Sequence, residues 1–364
     1  MMKNLRKIIA ATTAMSFALM SSSCGTDQPS LISNPSHDEE AELTIGFSFD
    51  SYVIERWTRD RDVFCATAGE LGAEVYVQSA NGELETQISQ IEYFINMEVD
   101  AIVIVTIDGD GLTDSIKAAK DAGIPVICYD RIVRNADADL YISFDNKVVG
   151  SFMAEAICEE IGDEGNIVEI TGPESDYNVA QVMEGFEEVC SEHDENILLT
   201  YNCENWRSEL AYDFINDNID EVSEADIIMC GNDALAGEAV HALAERGLAG
   251  QILVVGQDAD LEACQRIVEG TQLMTVYKPV EKLARMAAEY SVMLARGEDI
   301  EVDTTFNDGS NEIPYVAIES VAVDKDNIDE VIIASGFHQR EDVYLNIDET
   351  VEVTEISESS EETE

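Results

Sequence analysis

Between residues 43 and 279 the chain carries ten short apolar runs of strand length, most of them separated by segments of helical periodicity. The runs are LTIGFSF, EVYVQSA, AIVIVTI, PVICYD, YISFD, NIVEITG, ILLTYN, DIIMCGND, ILVVGQD and MTVYKP. In the intervening LETQISQIEYFIN, Ile88, Ile91, Phe94 and Ile95 fall on one helical face. Apolar strands that do not alternate need cover on both faces, and strands joined through helices run parallel. Ten strands are many for one sheet. The expectation is therefore an α/β architecture of two similar three-layer, doubly wound lobes with parallel sheets.

In such sheets ligands bind beyond the C-terminal ends of the strands. Those ends carry Arg56, Trp57, Asp130, Arg131, Asp145, Asn146, Asn178, Trp206, Asn232, Asp233, Asp258 and Lys278. Carboxylates and amides can bond two neighbouring hydroxyls, Arg and Lys add charge-assisted donors, and indoles cover flat C–H faces. With acids and bases balanced, the set suits a neutral polyol better than an anion. Asp and Asn after a strand also cap the next helix, and Asp145 and Asn232 are open to that reading. Capping does not explain both tryptophans of the chain, two Arg and a Lys at the same level.

Acidic residues number 76 against 20 basic ones, a formal net charge of −56. No nucleic-acid partner is expected of such a chain, because a phosphate backbone calls for clustered Lys and Arg. At the N-terminus, Lys3, Arg6 and Lys7 precede an apolar stretch from Ile8 to Met20 and then small residues before Cys24. That pattern predicts an export signal over 1–23, with Cys24 as a lipidation site or, under ordinary cleavage, a bystander. Residues 24–41 read as the lipidated cysteine and a flexible linker. Residues 341–364, with ten acids and no Lys or Arg, read as a disordered acidic tail in which VYLNI…VEV leaves a short strand open. The seven other cysteines have no framework or metal-ligand spacing and read as small core hydrophobes. No metal or other cofactor is expected: DKDNIDE (324–330) lacks the glycine and distal glutamate of a calcium loop.

The combination of ERW (55–57), VQSANGELETQISQIE (77–92), YDR (129–131), YISFDN (141–146), GNDALAGEAVHAL (231–243), GQDADLEACQRIVEGTQLMTVYKP (256–279) and GFH (336–338) resembles the periplasmic sugar-binding proteins of ABC transporters with the type I fold, and among them the D-xylose-binding proteins. The resemblance spans about residues 43–338. It implies that the twelve strand-tip residues above contact a monosaccharide, with Trp57 and Trp206 sandwiching a pyranose and Asp145, Asn146 and Asp258 near a hinge. It further implies three chain crossings, one lobe from 43–144 plus 259–307 and the other from 147–256 plus 312–338. A monomer that closes on its sugar and docks on an ABC permease, or presents the sugar to a membrane sensor or chemoreceptor, would follow. The protein would be anchored outside the cell membrane through Cys24, or periplasmic if unlipidated. One segment departs from the family. Where Asn-Asn-Ala and a later Arg are frequent, this chain has YNVAQVMEG, with Tyr177 in the first position and Met183 in the place of the Arg.

Two other classes fit less well. A glycosidase would use paired carboxylates, but acid pairs are inevitable in so acidic a chain. No GxSxG, GxGxxG or HExxH motif is present, and the four histidines (His37, His193, His241 and His338) are scattered. A sugar-responsive repressor would need a basic helix-turn-helix where this chain has its signal and Cys24.

Overall fold

The computed structural model describes residues 43–347 except 163, 164, 192, 194 and 195. The expected signal, Cys24, the linker and residues 348–364 of the expected tail lie outside them. The chain starts with β1 (Leu43–Phe49), α1 (Arg56–Glu70), β2 (Ala73–Ser79), α2 (Leu84–Asn96), β3 (Ala101–Ile104), α3 (Thr113–Asp121), β4 (Val126–Tyr129) and β5 (Leu140–Phe144). Next come α4 (Asn146–Ile161), β6 (Asn166–Thr171), α5 (Tyr177–Cys190), β7 (Asn196–Asn202), α6 (Glu209–Asp217), α7 (Ile219–Val222), β8 (Ile227–Cys230), α8 (Asp233–Glu245), β9 (Leu253–Val255), α9 (Leu261–Glu269) and β10 (Met274–Tyr277). The remainder is α10 (Val280–Ala295), β11 (Thr305–Asn307), β12 (Glu312–Ile318), β13 (Val321–Asp324) and α11 (Arg340–Val343).

All ten apolar runs are strands. They form two sheets, ordered β11-β12-β5-β4-β3-β1-β2 and β13-β10-β9-β8-β6-β7. The first five strands of the chain and the next five repeat one winding, second-first-third-fourth-fifth, and all pair in parallel. Each sheet is buried on both faces, as its unbroken apolar strands require. In the first, Phe47, Val103 and Ile127 pack with Phe64 of α1 and Leu283 of α10, while Ile102, Ile104 and Val126 pack with Ile91, Phe94 and Ile116. Two doubly wound α/β lobes are thus present.

The segments are distributed differently from the expectation. Residues 259–307 were expected in the first lobe, but β10 pairs with β9 and β13 in the second sheet. Residues 312–338 were expected in the second lobe, but β12 pairs in parallel with β5, in the first. The chain crosses at residues 144–146, 277–280 and 318–321, so the second crossing lies at Lys278 and not at Asp258. The cause is in the pairing: β10 extends the second sheet by one strand before α10 returns to cover α1 and the first sheet. The expected tail also begins too early. Val343 of α11 is buried with Cys264, Ile267 and Val323, so residues 341–347 belong to the second lobe.

In the second lobe α4 and α5 cross at their glycines. A Cβ on Gly150 would stand 1.9 Å from the Val182 carbonyl oxygen, and one on Gly185 would stand 2.0 Å from that of Lys147. Only glycine permits this backbone contact, which sets the start of α5 beside the first crossing. Among the described residues, no helix is long and apolar enough to cross a membrane.

Candidate functional site

The facing C-terminal edges of the two sheets enclose a cavity with an empty volume of about 480 Å³, open solvent at its mouth included. The first lobe supplies Arg56 and Trp57 from the start of α1, and Asp130 and Arg131 from the turn after β4. The second supplies Asn178 from α5, Trp206 after β7, Asn232 after β8, and Gln257 and Asp258 after β9. Asn146 and Lys278 enter at the first and second crossings.

Arg56, Asp130, Arg131, Asp258 and Lys278 keep no more than 7% of their surface exposed. Charges so buried require partners. Arg56 lies 2.9 Å from Asp60, 2.9 Å from Asp130 and 4.0 Å from Asp258. Arg131 lies 2.8 Å from Asp50 and 2.7 Å from Asp176, and Lys278 is 3.3 Å from Asp258. Burial pushes the Asp130 carboxyl up, but Arg56, Lys278 and Arg131 outweigh it and hold it below its ordinary value. Burial wins at Asp176, Asp50 and Asp60, whose carboxyls are raised. Besides the Arg56–Asp258 pair, further contacts tie the lobes across the cavity. Arg131 of the first lobe meets Asp176 of the second, and the Asn178 amide donates to the Asp130 carbonyl and carboxylate at 3.2 Å each.

Backbone geometry places several of these groups. Asp130 has φ 64, held by its N–H donating to the Ile142 carbonyl at 2.8 Å and by Ser143 Oγ donating to its own carbonyl at 2.6 Å. Asp176 caps α5, accepting from the Asn178 N–H at 3.0 Å, and also accepts from Trp206 Nε1 at 3.0 Å. The Trp206 indole lies against Gly172, where a Cβ would stand 2.3 Å from the ring. Trp57 carries the Arg56 guanidinium 4.5 Å from its centroid and that of Arg131 at 5.5 Å. Three buried polar atoms on cavity-lining residues have no partner: Trp57 Nε1, Asn178 Oδ1 and Gln257 Oε1. A donor and two acceptors thus remain for a neutral, hydroxyl-rich molecule.

Of the twelve residues singled out from sequence, ten line the cavity and two do not. Asp145 is exposed and accepts from the Val148 N–H at the start of α4, which is a cap. Asp233 lies behind the cavity wall, where it accepts from Thr275 Oγ1 at 2.7 Å, Gln272 Nε2 at 2.8 Å and the Asp260 N–H at 3.1 Å. Asn232 does both, capping α8 through the Leu235 N–H and lining the cavity. Sequence reasoning missed Asp176, whose place before a helix reads as a cap, and Gln257, although it adjoins Asp258. Of the two departures, Met183 lines the cavity, whereas Tyr177 packs under the Arg134 guanidinium at 5.1 Å. Among the described residues no group of His, Cys, Asp or Glu is arranged to hold a metal ion.

A family model described as a periplasmic binding protein domain matches residues 45–299. The D-xylose-binding periplasmic protein of Haemophilus influenzae is 40% identical over 86% of this chain and 95% of its own length. Its namesake in Escherichia coli is 39% identical over 83% and 93%. A carbohydrate-transporter solute-binding protein from Chloroflexus aurantiacus, solved with D-glucose, superposes with a TM-score of 0.75 at 25% identity, covering 82% of this chain and 98% of that one. An ABC-transporter solute-binding protein from Clostridium phytofermentans, solved with β-D-glucose, gives 0.74 at 26%, covering 82% and 99%. Two similar lobes closed over one polar cavity are the architecture that a match of this extent entails, and the chain belongs to the periplasmic binding protein family.

Proposed function

We propose that this chain captures a monosaccharide, D-xylose first among candidates, by closing its lobes on it, and delivers it to an ABC importer in the membrane. The observation that carries this is the interlobe cavity with two tryptophans, three ion-paired cations and three unpartnered polar atoms. Such a set can replace much of the water that a polyol gives up on binding. The two relatives near 40% identity are named for D-xylose and for the periplasm, which agrees with an exported protein, tethered through Cys24 or free. The chain acts as a monomer, and the closed form is what the permease, or alternatively a membrane sensor, recognises.

Binding is favoured over hydrolysis by the state of the carboxylates. A glycosidase needs one carboxyl held protonated as acid beside an ionised partner. Here Asp130 is held below its ordinary value by Arg56, Lys278 and Arg131, and Asp176, though raised by burial, has its carboxylate taken up by Arg131, the Asn178 N–H and Trp206 Nε1.

Titration calorimetry of the chain from Gly25 onward tests the reading, with D-xylose beside D-glucose, L-arabinose, D-ribose and D-galactose. Micromolar or tighter binding of D-xylose is expected. Tight binding of another sugar moves the substrate and keeps capture, and binding of none ends the proposal.

A further inference from the structure

The cavity is chemically one-sided. Helix α5 turns Asn178, Val179, Val182 and Met183 toward it, a spacing that places all four on one helical face. Only Asn178 has a hydrogen-bonding side chain. Met229 of β8 is a further apolar lining residue. Ile54 and the two indoles apart, the rest of the lining is mostly polar, led by the cations and carboxylates already described. A hydroxyl set against Val179, Val182 and Met183 would give up its water with nothing in return.

An aldopentose in its pyranose form has hydroxyls on C1 to C4 and only hydrogen on C5. One ring edge alone therefore matches an apolar wall. We propose, on the footing of the sugar-capture reading, that the cavity is built for a pyranose whose C5 carries hydrogen or methyl but not hydroxymethyl, and that Met183 is the residue that enforces this choice. Met183 is half-buried and otherwise packs against apolar side chains, so its thioether fills the space without offering a strong hydrogen bond.

Three sugars with one ring configuration separate polarity from size: D-xylose, 6-deoxy-D-glucose and D-glucose bear hydrogen, methyl and hydroxymethyl at C5. Calorimetry is expected to find 6-deoxy-D-glucose within about threefold of D-xylose or tighter, and D-glucose weaker by roughly thirtyfold, as for one buried hydroxyl left unbonded. Met183→Gln is expected to strengthen D-glucose about tenfold and leave 6-deoxy-D-glucose unimproved; a merely structural role would shift all three sugars together. D-glucose within about threefold of D-xylose in the native chain overturns the inference, and so does 6-deoxy-D-glucose as weak as D-glucose, which would make the wall a limit of size. These outcomes leave sugar capture standing. Failure of all the sugars to bind removes both.

Discussion

Trp206 is the cavity residue with the most built around it. Its own φ of 57 and that of Asn205, 54, lie in the left-handed region, so the turn after β7 is strained to present the ring. Gly172 gives the indole room, and Asp176 takes its N–H. An aromatic fixed on both sides is an anchor of the kind whose removal weakens binding most. Trp206→Ala is expected to cost about 2 kcal/mol or more of sugar affinity by calorimetry. Gly172→Ala should weaken binding as well, by displacing the ring without removing it. If both variants bind as the native chain does, the indole is packing and not contact. Residue types at strand tips were legible in the sequence because so few reasons exist for Trp, Arg and Lys to gather there. Asp145 and Asp176 were not separable. Both precede helices, and only the distance to Arg131 distinguishes the plain cap from the cap that also carries an interlobe ion pair.

At the scale of elements, the ten central strands were legible because each is a continuous apolar run closed by turn residues. Strands β11, β12 and β13 lacked that signal. They lie at sheet edges or in short hairpin pairings, their burial is partial, and Pro314 interrupts β12. The assignment of β10 to a lobe was not legible for a different reason: pairing across a sheet is a long-range fact that local periodicity does not encode. The junction of α8, β10 and the loop after β9 also holds a buried acid cluster. Burial pushes the Asp233 carboxyl up to about 7, and Asp260 is held well above its ordinary value by burial and by the neighbouring Asp233 and Asp258. The Arg266 guanidinium opposes the shift at Asp233 without cancelling it. An unfolded Asp titrates near 3.9. The folded state therefore holds its proton more tightly, and this contribution to stability is full below about pH 4 and lost as pH rises through about 7. Denaturant unfolding at pH 5 and pH 8 should show a fall in stability that Asp233→Asn reduces. Because other raised carboxyls, such as Asp50, Asp60 and Asp176, slope the same way, the difference between the two proteins is the readout. An equal pH dependence in both would mean that Asp233 is ionised in the folded protein throughout.

For the whole molecule, the question is what holds the lobes together. Cavity side chains so little exposed describe a closed form, and its ties across the cleft include the Asn178–Asp130 bonds and the Gly109 N–H donating to the Ser175 carbonyl at 2.9 Å. Arg131 to Asp176 is the shortest ion pair between lobes, and Asp176 is also fixed to α5 and to Trp206. Arg59 of α1 adds a contact at the outer edge, its guanidinium 4.4 Å over Phe337 and 3.4 Å from the Phe337 carbonyl. Arg131 is anchored in its own lobe by Asp50 at 2.8 Å, so opening the cleft leaves it paired while Asp176 meets water. The tie is thus one that opening can release at modest cost, as a binding protein that must also let go requires. Asp176→Asn keeps the cap and the shape but removes the charge that Arg131 meets on closing. Small-angle scattering should show the native chain contracting as sugar is added, and the variant needing at least about tenfold more sugar for the same contraction, since a close pair with one charge removed loses on that order or more. Contraction at the same sugar concentration would shift the burden of closure to the sugar's own contacts and to the other interlobe contacts, Arg59 and Asn178 among them. Contraction of the variant without sugar would mean that Asp176, whose raised carboxyl already marks its burial as costly, opposes closure instead of holding it.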